Sequence, residues 1–282
     1  MEPQTAPCDL HLHSTYSDGT MPPEELVSYA HAIGLSAVSI TDHDTVNAQA
    51  EALDAGRRCG IDVVTGIEFS IEEGGSSIHI LGYCFDHENR ALVASLEELA
   101  RSRVTRAEEI VRRLEERGVS LPFEEVLAEA GRGCVGRPHI ARVLKRRGHV
   151  SSVSEAFARY ISDSAPCHVP KKVLPRTEVI RLISQAGGVA VWAHPGWNIR
   201  RTDLVERLIA SGVRGVEVWH PNHTERMRKD ILELARERGL VCTGGSDFHF
   251  IELIEADIGE VTAPCESVSA LRKAAAEKLH LA

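Results

Sequence analysis

Short apolar runs alternate with amphipathic stretches through the first third of the chain. The first three predicted strands end near Leu12, Ile40 and Phe69, and a fourth covers residues 77–85. Between the first three strands, residues 22–33 and 47–59 repeat their apolar positions at helical spacing, and Gly60 is a suitable helix stop. This alternation predicts parallel strands joined by helices.

The alternation is interrupted over residues 90–172, where helical patterns occur without a convincing strand. The helices predicted there cover residues 92–117, 123–130, 138–147 and 153–161. Alternation then resumes, with strands predicted at 188–193, 215–219, 240–243 and 258–261 and helices at 176–185, 203–210, 225–238 and 268–278. The pattern predicts an α/β fold, a barrel-like sheet ringed by helices and interrupted by a helical insertion. We divide it into barrel residues 1–90, an inserted subdomain 91–172 and barrel residues 173–282.

Histidine and carboxylate side chains occur where these predicted strands end. Asp9, His11 and His13 share one face of the first strand because side chains alternate along a strand. In a barrel of this kind, the chemistry gathers at the carboxyl ends of the strands. The candidates are His11, His13, Asp18, His43, Glu68, His79, His194, Asp247 and His249. Of these, His79 is the exception, because it lies inside its predicted strand.

Each candidate alone has a structural explanation: His194 could be a polar strand end, and Asp247 a helix cap. Together they predict a metal site. Imidazole and carboxylate ligands without thiolate suit Mn, Zn or Fe, and a carboxylate can bridge two ions. We expect Glu68 to be that bridge. The expected groups are His11, His13 and Asp247 on one side of it, His79 and His194 on the other, and Asp18, His43 and His249 at a third position.

Such a set of divalent cations favours phosphoester chemistry. Clustered cations lower the pKa of a shared water and neutralise phosphoryl oxygens as charge moves. Uncharged amides gain little from three cations, whereas phosphate monoesters carry up to two negative charges. The sequence therefore predicts hydrolysis by a metal-bridging hydroxide.

The charge distribution supports an anionic substrate. The net charge is −9, but residues 90–172 carry 16 Lys and Arg against 11 Asp and Glu, a balance of +5 that leaves −14 for the remainder. Many of these charged residues lie on solvated helix faces. A basic insertion beside an acidic remainder of the chain nevertheless attracts anions.

The composition is that of an ordinary globular protein, with 43% hydrophobic residues. Its seven cysteines are scattered and never form a CxxC pair, which is typical of reduced thiols. We see no secretory signal and no apolar run of membrane-spanning length, so we expect a cytoplasmic protein without a membrane partner.

Six motifs carry a family resemblance. They read DLHLHSTYSDGT, TDHDT, GIEFS, HILGY, AHPG and GGSDFH. In order and spacing they resemble the motifs of the polymerase and histidinol phosphatase (PHP) family of metal-dependent phosphoesterases. The resemblance implies a distorted (β/α)7 barrel and a trinuclear site whose ligands are the nine candidates above. It also implies two or three divalent ions, with Mn first and Fe or Zn as alternatives.

The insertion is expected to supply substrate contacts. Arg137 precedes a predicted helix, where a guanidinium and free N–H groups can both meet a phosphate. The other candidate contacts are Arg103, Arg106, His139, Lys171, His220 and His223. We assign catalytic roles to Arg137, to Asp247 and to His223, the last as general acid for the leaving ribose oxygen, although a metal-bound water could serve instead.

Within the family, the chain is most similar to a bacterial branch with a helical insertion after HILGY. That branch includes a 3′,5′-nucleoside bisphosphate phosphatase and a 5′-to-3′ exoribonuclease acting on short RNA. We therefore predict removal of the 3′-phosphate from 3′,5′-nucleoside bisphosphates, with exoribonuclease action on short oligoribonucleotides as the alternative. The expected partner is a nucleotide or a short oligonucleotide, not a long nucleic acid. Hydrolytic deamination, amide cleavage and a non-catalytic nucleotide-binding module remain open.

Overall fold

The computed structural model describes residues 6–249 and 256–279. The strands are β1 Cys8–Leu12, β2 Ala37–Ile40, β3 Asp62–Val63, β4 Gly66–Glu73, β5 Ser76–Tyr83, β6 Val189–Trp192, β7 Gly215–Trp219 and β8 Val241–Gly244. The helices are α1 Pro23–Ala32, α2 Gln49–Cys59, α3 Arg90–Glu115, α4 Phe123–Ala130, α5 Arg137–Arg146, α6 Val153–Ala156, α7 Arg176–Gln185, α8 Thr202–Ala210, α9 Glu225–Arg238 and α10 Glu266–Leu279. None of the helices described is both long and apolar enough to cross a bilayer.

Two sheets join into a barrel-like wall. Strands β1, β2 and β3 form a parallel sheet, and β4 to β8 form a second sheet in chain order. Single bridges connect the two, from Leu12 to Phe248 at one seam and from His43 to Glu68 at the other. The buried Tyr83 hydroxyl also donates to the Leu10 carbonyl oxygen at 2.7 Å. The predicted α/β barrel with its helical insertion is confirmed.

Two details of the predicted sheet are wrong. Strand β5 runs antiparallel to both β4 and β6, because Gly74 and Gly75 close a hairpin with φ of 59° and 76°. A two-residue turn of this kind returns the chain beside itself and leaves no room for a crossover helix. Residues 258–261 lie in turns, and Ala263 makes the antiparallel bridge to Cys8 there instead.

The insertion is helical throughout and has its own apolar core. Helix α6 continues into one wider π-type turn at Phe157–Ile161. The apolar core of the insertion includes Ile110, Leu114, Ile140 and Leu144, and it is separate from the apolar clusters of the barrel. The division at residues 91–172 stays a prediction, which this separate core supports.

A buried ion triad connects the insertion to the barrel. Asp44, just after β2, receives two hydrogen bonds from Arg103 of α3, and its Oδ2 lies 2.8 Å from Lys171 Nζ at the far end of the insertion. Lys171 also donates to Ser70 of β4 at 2.7 Å. The first helix of the insertion and its last residues therefore meet at one carboxylate beside His43.

Candidate metal centre

The predicted ligands converge at one rim of the barrel. Strand β1 carries His11, and the loop after it carries His13 and Asp18. The segments after β2, β6 and β8 carry His43, His194, Asp247 and His249, while Glu68 and His79 lie on β4 and β5. Three overlapping groups have ligand atoms within 4.8 Å of one another: His13, Asp18, His43 and His249; His11, His13, Glu68 and Asp247; and His43, Glu68 and His79. The strand ends therefore bring distant residues together, as the fold requires.

The innermost group has the dimensions of a cation cage. Glu68 Oε2 lies 3.4 Å from His11 Nε2 and 3.3 Å from His13 Nε2. Asp247 Oδ1 lies 3.2 Å and 3.1 Å from the same two nitrogens. All four atoms are buried, and none has a hydrogen-bond partner among the described residues. Ligands about 2.1 Å from a tetrahedral ion lie about 3.4 Å apart, so these residues fit a divalent cation.

The other oxygen of Glu68 faces a second pair of imidazoles. Glu68 Oε1 lies 2.6 Å from His79 Nδ1 and 3.2 Å from His194 Nε2. His43 Nδ1 lies 2.9 Å from Glu68 Oε2, a contact that our grouping did not include. Glu68 is thus placed where a bridging carboxylate would lie.

Asp18 marks a third position, where the ligand atoms are more widely spaced than at the other two. Its carboxylate lies 3.6 Å from His249 Nε2 and 3.9 Å from both His13 Nδ1 and His43 Nε2. These spacings are wide for hydrogen bonds and leave room for an ion between the groups.

Glu217 is a buried carboxylate to which the sequence analysis gave no role. Its Oε1 accepts a hydrogen bond from His11 Nδ1 at 2.9 Å, and its Oε2 accepts the backbone N–H of His194 at 2.7 Å. This leaves His11 Nε2 as the free lone pair facing the cage, the usual tautomer control at metal sites. The sequence does contain a signal for Glu217: it is a carboxylate on strand β7, in the same layer of the barrel as the predicted ligands.

Two further buried carboxylates hold the ligand-bearing loops in place. Asp42 accepts hydrogen bonds from Ser14 N–H and Oγ and from Ser17 Oγ at 2.6–2.7 Å. Asp9 accepts from Ser246 N–H and Oγ at 3.0 and 2.7 Å. Asp247, next to Ser246, has a φ of 52°, a left-handed conformation that aspartate tolerates better than most residues. Polar bonds to the loops thus stabilise the strained ligand position.

The electrostatics of the cage combine desolvation with mutual attraction. Burial lowers the pKa of His13, but the nearby carboxylates of Asp247 and Glu68 outweigh it and raise the pKa to about 10. Burial raises the pKa of Glu68, yet His43, His79 and His11 hold it well below its usual range. Without a cation, the carboxylates are therefore compensated by protons on imidazoles.

A cavity of about 440 Å³ connects this centre to the insertion. Asp18, His43 and His79 line one end, and Arg106, Arg137 and His168 line the other. Arg103 and Lys171 also line it, but Asp44 pairs with both and offsets part of their charge. The predicted substrate contacts Arg103, Arg106, Arg137 and Lys171 therefore all face the cavity.

Three predicted histidine roles need correction. His139 is 2% exposed and does not line this cavity; its Nδ1 accepts the Gly136 N–H at 2.9 Å and so caps α5. His223 has both ring nitrogens engaged, because Nδ1 donates to the Val218 carbonyl oxygen and Nε2 accepts the Gly196 N–H. With no proton left to give, His223 is the wrong residue for the general acid.

His220 is a support for the metal centre and not a substrate contact. Its Nδ1 accepts the Asn222 N–H at 3.2 Å, so Nε2 carries the proton and donates to Asp247 Oδ2 at 3.2 Å. The ring is 4% exposed. The prediction of a substrate contact at His220 is therefore wrong for the same reason: both nitrogens are already bound within the protein.

We expect Glu217→Gln to weaken Mn²⁺ binding by about 10- to 100-fold. The amide keeps one acceptor oxygen, so either His11 or His194 loses its orienting bond, and His11 loses the negative charge that makes it a better ligand. Calorimetric titration of metal-free protein measures the change, with thermal melting to verify the fold. Glu233→Gln, an exposed carboxylate on α9, makes the same charge change as a control. Unchanged affinity in a folded Glu217→Gln protein would contradict this role.

Metal binding is expected to release protons. Because the pKa of His13 lies near 10 in the metal-free protein, the imidazole is protonated at pH 7 and a cation must displace that proton. Affinity should therefore rise with pH up to about that value and fall as the solution is acidified. Titrating Mn²⁺ in buffers of different ionisation enthalpy gives the number of protons released, expected to be about one or more. An enthalpy independent of the buffer would rule out this coupling.

Comparison with known proteins places the chain in a family. The PHP domain model matches residues 9–162. A 5′-3′ exoribonuclease of Haemophilus influenzae is 37% identical over 86% of this chain and 89% of its own length. A 3′,5′-nucleoside bisphosphate phosphatase of Chromobacterium violaceum is 35% identical over 86% of both proteins.

A solved structure agrees over nearly the whole chain. A Bifidobacterium adolescentis protein assigned as a metal-dependent phosphoesterase superposes with a TM-score of 0.87 at 31% identity, covering 97% of this chain and 98% of its own. The match therefore includes the helical insertion as well as the barrel. With the family's motifs gathered at one rim and relatives matching along most of the length, this protein belongs to the PHP family of metal-dependent phosphoesterases.

Proposed function

We propose that this protein removes the 3′-phosphate from 3′,5′-nucleoside bisphosphates and leaves a 5′-monophosphate. The observation that carries the proposal is the cavity between the metal-binding rim and the cationic insertion. A bisphosphate has two anionic groups separated by one ribose, and the cavity has positively charged or cation-binding groups at both ends. Its volume of about 440 Å³ is in the range of pockets that hold one small molecule.

The nine rim residues would hold two or three divalent cations, with Mn²⁺ as our first choice. When bound, such cations supply a water of lowered pKa and neutralise phosphoryl oxygens. The protein's own residues provide the rest. Glu217 and Asp9 keep His11 and the Asp247 loop in position, so the phosphate to be cleaved meets a preorganised site.

Arg137 would bind the second phosphate. Its Nη1 donates to the Ile161 carbonyl oxygen at 3.0 Å, and the guanidinium lies 5.6 Å from the centre of the Phe157 ring. The described residues offer no acceptor to its Nε and Nη2, which leaves a fork of donors for a phosphate. Arg106 adds a second cation nearby, with Nε held by the Val169 carbonyl oxygen at 2.8 Å.

Because His220 and His223 have no proton to donate to a substrate, we infer that the leaving ribose oxygen takes its proton from solvent water in the cavity.

The bisphosphatase reaction is the one named for the Chromobacterium relative. The second candidate, exoribonuclease action on short oligoribonucleotides, is favoured by the Haemophilus relative. Both reactions use the same rim of metal ligands, and they differ only in the chemical group on the leaving side of the phosphate. We place the reaction in the cytoplasm, where nucleotides occur.

The metal-loaded protein is expected to release phosphate fastest from adenosine 3′,5′-bisphosphate. The comparison substrates are adenosine 3′-monophosphate, histidinol phosphate and a short 5′-phosphorylated RNA, because each lacks one feature of the preferred ligand. Phosphate release and product chromatography with added Mn²⁺ give the ranking. Faster conversion of RNA to mononucleotides would instead establish the exoribonuclease. Tight nucleotide binding without turnover across Mn²⁺, Fe²⁺ and Zn²⁺ would establish a binding module.

Arg137→Ala is expected to lower kcat/KM for the bisphosphate by about 2–3 kcal/mol, roughly 30- to 150-fold, without loss of metal. The reason is the loss of a charge-assisted fork at the second phosphate. Arg159→Ala is the matched control, because Arg159 is an exposed arginine of the same insertion that pairs with Glu155. Steady-state kinetics and metal analysis measure both variants. An unchanged kcat/KM for Arg137→Ala would remove this residue from the site.

A further inference from the structure

The cationic end of the cavity contains one carboxylate that the proposed reaction does not use. Asp163 Oδ1 lies 2.6 Å from Arg137 Nη1 and 3.5 Å from His168 Nε2. Its side chain is 80% exposed, whereas those of Arg137 and His168 are each 26% exposed. An exposed carboxylate thus reaches in from solvent onto two more buried donors.

Asp163 is not needed to hold Arg137 in place. The same Nη1 already donates to the Ile161 carbonyl oxygen, and the Phe157 ring lies beside the guanidinium. These contacts come from the π-type turn itself and do not depend on a carboxylate. Removing the charge of Asp163 should therefore leave the arginine fixed.

The cationic end of the cavity around Asp163 has more positive than negative side chains. Arg106 lines the same end and has no carboxylate within ion-pair distance among the described residues. Burial and the neighbouring Arg137 and Arg103 lower its pKa to about 10, so it stays charged at neutral pH. Of the other lining carboxylates, Asp18 belongs to the metal-binding rim, and Glu72 makes no ion pair within the described part of the chain.

From this geometry we infer that Asp163 is an internal stand-in for the substrate's second phosphate, and that it weakens the enzyme's affinity for doubly phosphorylated nucleotides by competing with that phosphate. The inference rests on the proposed function. Asp163 binds Nη1 of Arg137 when no substrate is present, and a phosphate dianion at the same guanidinium displaces it. Exposed ion pairs are weak, whereas a phosphate offers more acceptor oxygens and more charge than a carboxylate. Ligands without that second phosphate do not compete with Asp163, so its charge leaves their affinity unchanged.

The test is Asp163→Asn, which keeps the shape and removes the charge. Without the competing anion, KM for adenosine 3′,5′-bisphosphate should fall by about 3- to 10-fold with kcat unchanged. KM for adenosine 3′-monophosphate, which has no second phosphate, should stay within about twofold. Glu155→Gln is the matched control: Glu155 is a carboxylate of the same insertion that pairs with exposed Arg159. This control should move neither constant.

Equilibrium binding separates this inference from the proposed reaction. Titration of adenosine 5′-monophosphate into Mn²⁺-loaded protein needs no turnover, and its affinity should rise by a similar factor in Asp163→Asn, while that of adenosine stays unchanged. If the wild type cleaves no phosphate but this pattern holds, the proposed reaction fails and the role of Asp163 stands. An unchanged or weaker affinity for the 5′-monophosphate, or equal shifts for both ligands, would overturn the inference even in an active enzyme.

Discussion

The structure depends on burying histidines and carboxylates together at the barrel rim. Taking such groups out of water is costly unless each lone pair and charge is matched. Here Glu68 Oε2 and Asp247 Oδ1 lie 3.3 and 3.1 Å from His13 Nε2, and all three atoms are buried without hydrogen-bond partners in the described structure. A small cation would satisfy all of these atoms at once. The surrounding protein is organised around that requirement.

The support for this cage comes from buried carboxylates that are not among its candidate metal ligands. Asp42 orders the loop after β1, Asp9 orders the loop after β8, and Glu217 orients an imidazole from behind. Each of them accepts bonds from backbone N–H groups, so each stabilises a loop as well as a side chain. A ligand set drawn from both ends of the chain is rigid for this reason, and rigidity is what a preorganised catalytic site needs.

Much of the barrel and the rim was predictable, because period-two alternation and strand ends are local signals. The pair of His11 and His13 on one face follows directly from the strand geometry. The reversal of β5 was also encoded locally, in Gly74–Gly75, but the surrounding βα pattern suggested a crossover. The roles of His139 and His223 could not be read locally in this way. Their ring nitrogens bind Gly136, Val218 and Gly196, and whether a histidine is capped, oriented or free depends on contacts that only the folded chain creates.

The ion triad at Asp44 limits how the insertion can move. Because Arg103 near its start and Lys171 at its end both bind the same buried oxygen, the insertion is tethered at two points instead of one. If the insertion swung outward, the buried Asp44 carboxylate would lose its counter-ions, which is costly. A small molecule therefore reaches the metal-binding rim through the open side of the cavity, with the insertion held in place above it.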